Sequence, residues 1–322
     1  LAVPHRRTLD QEDRQELAEH RRRRTPHRVP GQVEEVHRMV GPGSPLAPLG
    51  GRETGGMNVY VLELSRELAA LGYEVDMITR LDGDLPRVEQ VERNLRIVRI
   101  PAGPAAPVEK EAIAASLGEF TDELLRFTQR EGRGYDIVHS HYWQSGRPGG
   151  VLARRLRVPH AVMFHTLGEV KNRARITEEE PKDRIRAERG IARRADAIVT
   201  ASPHERQLLE MYYGADPARM RTIPCGVDLN LFQPLERDDC RAQLGLPPNA
   251  PVLLWVGRLE KLKGVDILIS ALAELEEPDV TLLIVGGDDR AAALKGELQR
   301  QAEAAGVAAN VRFEGPVAHD RL

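Results

Sequence analysis

The 322-residue chain has little cysteine, no long apolar run and no large excess of charge of either sign. Cys225 and Cys240 are its only cysteines. They form no CxxC pair and no metal-ligand cluster, and they fit a reducing compartment. No run approaches the roughly 18 apolar residues of a membrane span, which argues against stable membrane insertion. No secretory signal opens the chain, so we expect a cytoplasmic protein. A formal net charge of −3 argues against bulk nucleic-acid binding.

Enough apolar sequence is present for more than one core. Hydrophobic residues make up 41% of the chain and charged residues 30%, which predicts buried cores under a water-compatible surface. The length is about twice that of a typical domain, so we expect two domains.

Residues 1–42 differ from the rest of the chain. They contain the run Arg21-Arg22-Arg23-Arg24 and four of the ten histidines, without a sustained helical or strand pattern. We expect a disordered or non-native extension, and a basic tail for nucleic acid is the alternative. Residues 33–43 are charged and punctuated by Gly and Pro, so no strand is predicted there.

From about residue 57 the chain alternates strand-like and helix-like segments, which predicts a parallel α/β sheet. The predicted strands lie at 74–79, 95–100, 137–141, 160–166, 197–202 and 221–225. The predicted helices lie at 110–130, 181–194 and 203–213, with another that Gly72 ends. A Pro- and Asp-rich stretch at 228–250 marks a domain boundary. We assign 43–235 to a first domain whose first strand is missing or altered, and 236–322 to an incomplete second domain.

The segment VLLWVGRLEKLKG (252–264) is the most informative stretch. Five apolar residues predict a buried parallel strand, and a loop with Arg258 and Lys263 follows it into a helix. Loops at the carboxyl ends of such strands, beside helix N-termini, favour anions. A guanidinium fork and a lysine charge there suit a diphosphate. A solvated basic turn is the alternative interpretation.

Three other motifs are weaker evidence of a functional site than this segment. A glycine-rich loop with Gly55 and Gly56 precedes the first helix and would let phosphate approach its N-terminus, although a flexible turn fits it as well. Gly41-Pro42-Gly43 has no strand before it and lacks a third glycine, which excludes a dinucleotide fingerprint. Asp82-Gly83-Asp84 favours a turn over a metal site.

Several segments together, in this order and spacing, resemble glycosyltransferase family 4, the retaining nucleotide-sugar-dependent enzymes. They are GGMNVYVLELSREL (55–68), DIVHSHYWQSG (136–146), FHTLGEVKN (164–172), RIRAE (184–188), ADAIVTASPHE (195–205), IPCGVDLNLFQP (223–234) and GRLEKLKG (257–264). The resemblance implies the GT-B fold, an α/β arrangement in which two Rossmann-like domains face each other across a cleft. It also implies that the second domain is cut off at its C-terminus, before a Glu-x7-Glu motif that grips the donor sugar.

The same resemblance implies roles for individual residues. Gly55, Gly56, Arg258 and Lys263 would bind the donor diphosphate, and His165 would contact the transferred sugar at the site of attack. The residues that would hold the acceptor, mainly by its phosphate, are Asn58, Lys110, Tyr142, Thr166 and Arg184. Arg186 is a rival for the position of Arg184. No metal and no cofactor are implied beyond the UDP-sugar substrate.

The implied activity is transfer of a hexosyl unit from a UDP-sugar to a hydroxyl of a phosphorylated polyol or sugar, such as an inositol phosphate. As the glycosidic bond breaks, Arg258 and Lys263 would stabilise the charge that grows on the diphosphate. The alternatives are a sucrose-phosphate-synthase-like or glycan-extending transferase, and an inactive fragment or phosphosugar-binding module without the donor-site glutamates. A second copy of the chain is kept open as a partner.

Overall fold

The computed structural model describes residues 56–106, 108, 112–174, 179–275, 277–287, 291–318 and 321–322, and the backbone of 35–39. Within these residues the strands form two sheets, one of eight strands and one of three. The strands of the larger sheet are β1 (Glu35–Met39), β2 (Glu74–Arg80), β3 (Val88–Glu92), β4 (Leu95–Ile100), β5 (Ile137–His141), β6 (His160–Met163), β7 (Ala197–Thr200) and β8 (Met220–Thr222). Those of the smaller sheet are β9 (Val252–Val256), β10 (Thr281–Val285) and β11 (Val311–Gly315).

The larger sheet has the order β3-β4-β2-β1-β5-β6-β7-β8. All its neighbouring strands are parallel except β3, which pairs antiparallel with β4. From β1 the sheet grows through β2 on one side and through β5 on the other. The parallel α/β sheet predicted from the alternating pattern is therefore confirmed.

β1 corrects the sequence analysis, which predicted no strand in residues 33–43 and placed 1–42 outside the fold. Glu35–Met39 pairs with β2 through Glu35↔Glu74 and with β5 through Val36↔Ile137. A strand between two partners is held by backbone hydrogen bonds on both sides, so local composition is a weak guide to it. Residues 1–34, which include the arginine run, lie outside the described residues.

The described helices connect the strands. They are α1 (Gly56–Ala70), α2 (Ile113–Glu131), α3 (Trp143–Leu156), α4 (Gly168–Ala174), α5 (Lys182–Arg194), α6 (Pro203–Tyr213), α7 (Arg237–Gln243), α8 (Val265–Glu274) and α9 (Ala292–Ala304). Gly72 follows α1 with φ of +97°, and its N–H donates to the Ala69 carbonyl at 3.0 Å. Gly72 thus ends this helix, as predicted.

α3 was not predicted, because its sequence holds three glycines and Pro148, which usually indicate a loop. The packing explains Gly146: a Cβ there would lie 2.8 Å from Ile191 Cδ1 on α5. The glycine therefore lets α3 approach α5 closely. Tertiary packing compensates for its low helix propensity.

β9 corrects a second expectation. It is a parallel strand paired with β10, as predicted, but it is not buried: Leu254 is 61% exposed and Val256 50%. β9 is the end strand of the smaller sheet in the described chain, so only one of its long sides is paired. The core of this sheet is formed by β10 residues such as Leu282 and Ile284 against Ile269 of α8.

Candidate functional site

The carboxyl ends of β1, β5 and β6 meet at the point where the larger sheet reverses its growth direction. In open α/β sheets, ligands bind at this point. His141 is the last residue of β5, and Tyr142 follows it; His165 and Thr166 follow β6. The fold therefore brings these four residues together at the edge where a ligand is expected.

Two of these residues have strained backbones. Tyr142 has φ of 76° and ψ of 159°, and His165 has φ of 62°. Of the three non-glycine residues with positive φ in the described chain, two lie here. Such conformations cost of order 1–3 kcal/mol each and cluster at functional sites. Hydrogen bonding supports the Tyr142 conformation, since its N–H donates to the Met163 carbonyl at 2.8 Å.

His165 belongs to a packed group of rings. Its Nε2 lies 2.9 Å from Nδ1 of His141, so one nitrogen donates and the other accepts. The Tyr60 ring of α1 meets His165 and His141 edge-on, with centroid distances of 5.4 and 5.8 Å. Burial lowers the pKa of His165 to about 4, so its imidazole is neutral at pH 7. A neutral ring can donate or accept a hydrogen bond without adding charge to the site.

Arg184 is the centre of a buried polar network. Its side chain is 4% exposed. Nε donates to Glu188 Oε1 at 2.7 Å, and Nη1 donates to Glu180 Oε2 at 2.8 Å. Nη2 donates to the backbone carbonyl of Thr166 at 3.2 Å and to its hydroxyl oxygen at 3.0 Å. The guanidinium lies over the Tyr142 ring, 5.0 Å from its centroid. The network fixes Arg184 and, through it, the loop that carries Thr166.

Glu188 ties the network to two further elements. It is fully buried, and its Oε2 accepts the Gly168 N–H at 3.0 Å and the Tyr213 hydroxyl at 2.8 Å. Gly168 opens α4, so the carboxylate also satisfies a free N–H of a helix N-terminus. Sequence analysis quoted this residue in RIRAE but gave it no role. The spacing of Arg184 and Glu188, four residues apart on a helix, is the signal that could have identified the pair.

The charges of the network balance. Burial disfavours the positive charge of Arg184, but Glu188 and Glu180 outweigh it and raise its pKa. For Glu180, burial acts upward, but Lys171 and Arg184 prevail and lower its pKa. Tyr142 has its pKa raised to about 12, mainly by burial. The described part of this site thus holds two cations and two anions around a neutral tyrosine.

Asn58, predicted to contact the acceptor, and Gly56, predicted to contact the donor, both lie at the start of α1. Asn58, in its first turn, is 3% exposed, and its Nδ2 has no hydrogen-bond partner among the described residues. A buried amide with a free N–H is costly unless a ligand or water accepts from it. Gly56 is the first residue of α1 and is exposed. Gly55 and Lys110 lie outside the described residues.

Arg258 and Lys263 lie beyond the carboxyl end of β9, as predicted. Arg258 is 70% exposed and pairs with Glu260 at 2.9 Å. Such surface pairs contribute little, so the guanidinium can exchange Glu260 for another anion. Lys261 and Lys263 are the ends of a single 3₁₀ turn, and both are exposed. With three residues per turn, their side chains point in different directions.

Two glycines that sequence analysis did not single out shape the same end of the smaller sheet. Gly286 follows β10 with φ of +124°, and a Cβ on it would lie 1.9 Å from the Gly257 carbonyl oxygen. Gly287 also has a positive φ, of +88°. Only glycine allows the two loops to approach this closely. The pair after an apolar strand is the signal that could have identified them.

Two other kinds of site are absent from the described part of the chain. No group of three or more His, Cys, Asp or Glu side chains is arranged there to hold a metal ion. None of the helices in that part of the chain is long and apolar enough to cross a bilayer.

The fold defines a class of protein. The chain is similar to a sucrose-phosphate synthase from Thermosynechococcus elongatus, with a TM-score of 0.79 and 31% identity over 89% of this chain and 71% of that one. It is also similar to HepE of Anabaena, solved with UDP and glucose, with a TM-score of 0.64 and 20% identity over 88% of this chain and 70% of that one. At 20% identity, the similarity to HepE shows a shared fold and nothing more. The fold is that of the GT-B glycosyltransferases.

The sequence comparisons identify the family. Residues 54–231 match the model for Glycosyltransferase Family 4, and residues 236–322 match that for Glycosyl transferases group 1. The chain is 40% identical over 289 residues to D-inositol 3-phosphate glycosyltransferase 1 of Catenulispora acidiphila, covering 87% of this chain and 68% of that protein. It is 40% identical over 293 residues to D-inositol 3-phosphate glycosyltransferase of Nocardiopsis dassonvillei, with the same coverage. The chain belongs to glycosyltransferase family 4, and it is a glycosyltransferase.

Proposed function

We propose that the protein transfers a hexosyl unit from a UDP-sugar to a hydroxyl of a phosphorylated polyol or sugar, with retention of anomeric configuration. The main support is the cluster of Tyr142, Thr166 and Arg184 at the ends of β5 and β6. These three residues were assigned to the acceptor phosphate by the resemblance, and Arg184 contacts both of the others. The relatives that act on an inositol phosphate support the same acceptor class.

The acceptor phosphate would bind at the exposed hydroxyl of Thr166. Its oxygens would take over the Arg184 Nη2 donor that now faces the Thr166 hydroxyl. Glu180 and Glu188 balance Arg184 and Lys171, so these side chains supply no net positive charge. We assign that charge to Lys110. In this arrangement Arg184 orients the acceptor phosphate, and Lys110 supplies the electrostatic attraction for it.

The donor diphosphate would lie against Arg258 and Lys263. Negative charge grows on the departing diphosphate as the glycosidic bond breaks, and both side chains would stabilise it more in the transition state than before. The acceptor hydroxyl would attack from the same face, and its proton would pass to the leaving phosphate. His165, neutral at pH 7, would hydrogen-bond the transferred sugar and take no proton. No metal ion takes part in this reaction.

The likeness to sucrose-phosphate synthase favours a second acceptor, a phosphorylated ketose, within the same reaction class. The test is UDP release from a panel of UDP-sugars with inositol 3-phosphate or fructose 6-phosphate, followed by NMR of the product. We expect turnover with one of the two acceptors and a product with the anomeric configuration of the donor. A product with inverted anomeric configuration would overturn the proposal, and so would a failure to release UDP with either acceptor.

A further inference from the structure

A cavity lies at the amino end of β6, whereas the candidate site lies at the carboxyl ends of the strands. It has a volume of about 410 Å³ and is lined by residues of α2, α3 and α5 and by the start of β6. His160, the first residue of β6, lines it, whereas His165 and Thr166 lie beyond the other end of that strand. The cavity is therefore separate from the groups assigned to the acceptor.

Three arginines line this cavity. Arg147 and Arg154 lie seven residues apart on α3, so they share one face of the helix about 10.5 Å apart along its axis. Arg194 is the last residue of α5. All three are exposed, and none of their side chains has an ion pair or a hydrogen bond among the described residues. Three arginines without a side-chain partner in the described chain therefore line one cavity.

The other polar groups of the cavity leave a net positive charge. Asp196 is the one acidic residue of its lining, and its Oδ2 accepts the His160 N–H at 2.8 Å. The His160 ring is neutral at pH 7, because burial lowers its pKa to about 4. Its Nε2 lies 2.9 Å from the Ser140 hydroxyl oxygen. Three cationic side chains thus line the cavity together with a single carboxylate, which already accepts a hydrogen bond.

Small residues keep the cavity open beside the arginines. Gly150 lies under Arg154, and a Cβ on it would be 3.6 Å from Arg154 Nη1 and 3.4 Å from His160 Nδ1. A Cβ on Gly118 of α2, also in the lining, would meet nothing within 4 Å. The volume falls within the range of small-molecule sites, about 300–1,000 Å³, and exceeds what a lone phosphate ion needs.

We propose that this cavity binds a small organic phosphate, with Arg147, Arg154 and Arg194 as its ligands. Planar guanidinium groups bind phosphate oxygens in pairs, and an anion relieves the repulsion between unpaired arginines. Helix α3 begins beside Tyr142 and α5 carries Arg184, so a bound anion contacts two helices that also carry residues assigned to the acceptor. Through these helices the anion would affect the transfer reaction, and this part of the inference rests on the proposed function.

Calorimetric titration of the protein with inorganic phosphate and with glycerol 3-phosphate tests the binding. We expect saturable binding of both, tighter for glycerol 3-phosphate, which fills more of the cavity. Arg154→Ala and Arg194→Ala should each weaken it by at least about tenfold, the effect of losing one charge-assisted contact. The matched controls are Arg155→Ala and Arg193→Ala, which remove neighbouring exposed arginines outside the lining and should bind as the wild type does.

The variants separate this site from the proposed transfer site. Thr166→Val and Lys263→Ala should keep the binding, because both residues lie outside the cavity. Equal affinity in wild type, Arg154→Ala and Arg194→Ala, with unchanged melting temperatures, would overturn the proposal. So would loss of binding in Thr166→Val alone, which would assign the anion to the acceptor side. No gain for glycerol 3-phosphate over inorganic phosphate would overturn the organic ligand.

Discussion

Replacing Glu188 with glutamine tests whether the buried network holds the candidate site in place. The change keeps the shape of the side chain and removes the charge 2.7 Å from Arg184 Nε. It also sets an amide against donors from Gly168 and Tyr213. Removing one partner of a buried pair costs about 3–5 kcal/mol. Since Glu180 still faces Arg184, we take the lower end, about 3 kcal/mol.

That loss predicts a fall in melting temperature of about 6–12 °C, at about 2–4 °C per kcal/mol for a domain of this size. The control is Asp183→Asn on the same helix. Asp183 and its partner Arg186 are 85% and 77% exposed, so that pair contributes about 0–1 kcal/mol. The assay is a thermal scan of both variants beside wild type.

A kinetic readout distinguishes positioning from stability. If Glu188 orients Arg184 and thereby Thr166, the acceptor KM should rise in Glu188→Gln at temperatures where the variant is folded, and the donor KM should stay near wild type. A Glu188→Gln protein as stable as Asp183→Asn, with unchanged KM for both substrates, would refute the reasoning.

Three further predictions follow from other parts of the molecule. Arg258→Ala and Lys263→Ala should each lower kcat by roughly 10²–10³, whereas Lys261→Ala should be near normal; full activity in all three would place the diphosphate elsewhere. The pKa of His160 is about 4 in the folded protein and 6.5 in the unfolded chain, so between these pH values the unfolded state binds the extra proton. The free energy of unfolding should therefore fall as pH drops from about 6.5 to 4, and it should fall less steeply in His160→Gln. Parallel stability curves for the variant and the wild type would contradict this assignment. Truncation through residue 34 should keep the larger sheet, whereas truncation through residue 42 removes β1 and should abolish cooperative unfolding in circular dichroism; equal melting of both would show that β1 is dispensable.

The sequence predicted the fold best where strand-like and helix-like segments alternate. Leu95–Ile100 and Ile137–His141 have the predicted bounds, although each contains polar residues, because the alternation itself indicates a parallel sheet. It failed where neighbours decide the structure. β1 is held by two partner strands, and α3 contains glycines whose value lies in its contact with Ile191.

The candidate site was predictable in part. The resemblance identified Tyr142, Thr166 and Arg184, and Arg184 contacts the other two, although the roles of all three are predictions. The partners Glu180 and Glu188 were missed, because carboxylates in a strongly charged segment are expected to be solvent-exposed and their low exposure follows only from the tertiary structure. His141 was missed as a partner of His165, since His141 ends β5 whereas His165 follows β6, and the two meet only where these strands end side by side.

The ratio of kcat/KM for a phosphorylated acceptor to that for its unphosphorylated counterpart tests the central claim most directly. In the proposed arrangement the phosphate accepts hydrogen bonds from Arg184 Nη2 and from the Thr166 hydroxyl. Such charge-assisted contacts contribute about 1.5–3 kcal/mol each. For inositol 3-phosphate against inositol, or fructose 6-phosphate against fructose, we therefore expect a ratio of at least about 10² in the wild type. The ratio should fall sharply in Thr166→Val. A ratio near one in the wild type would contradict the account.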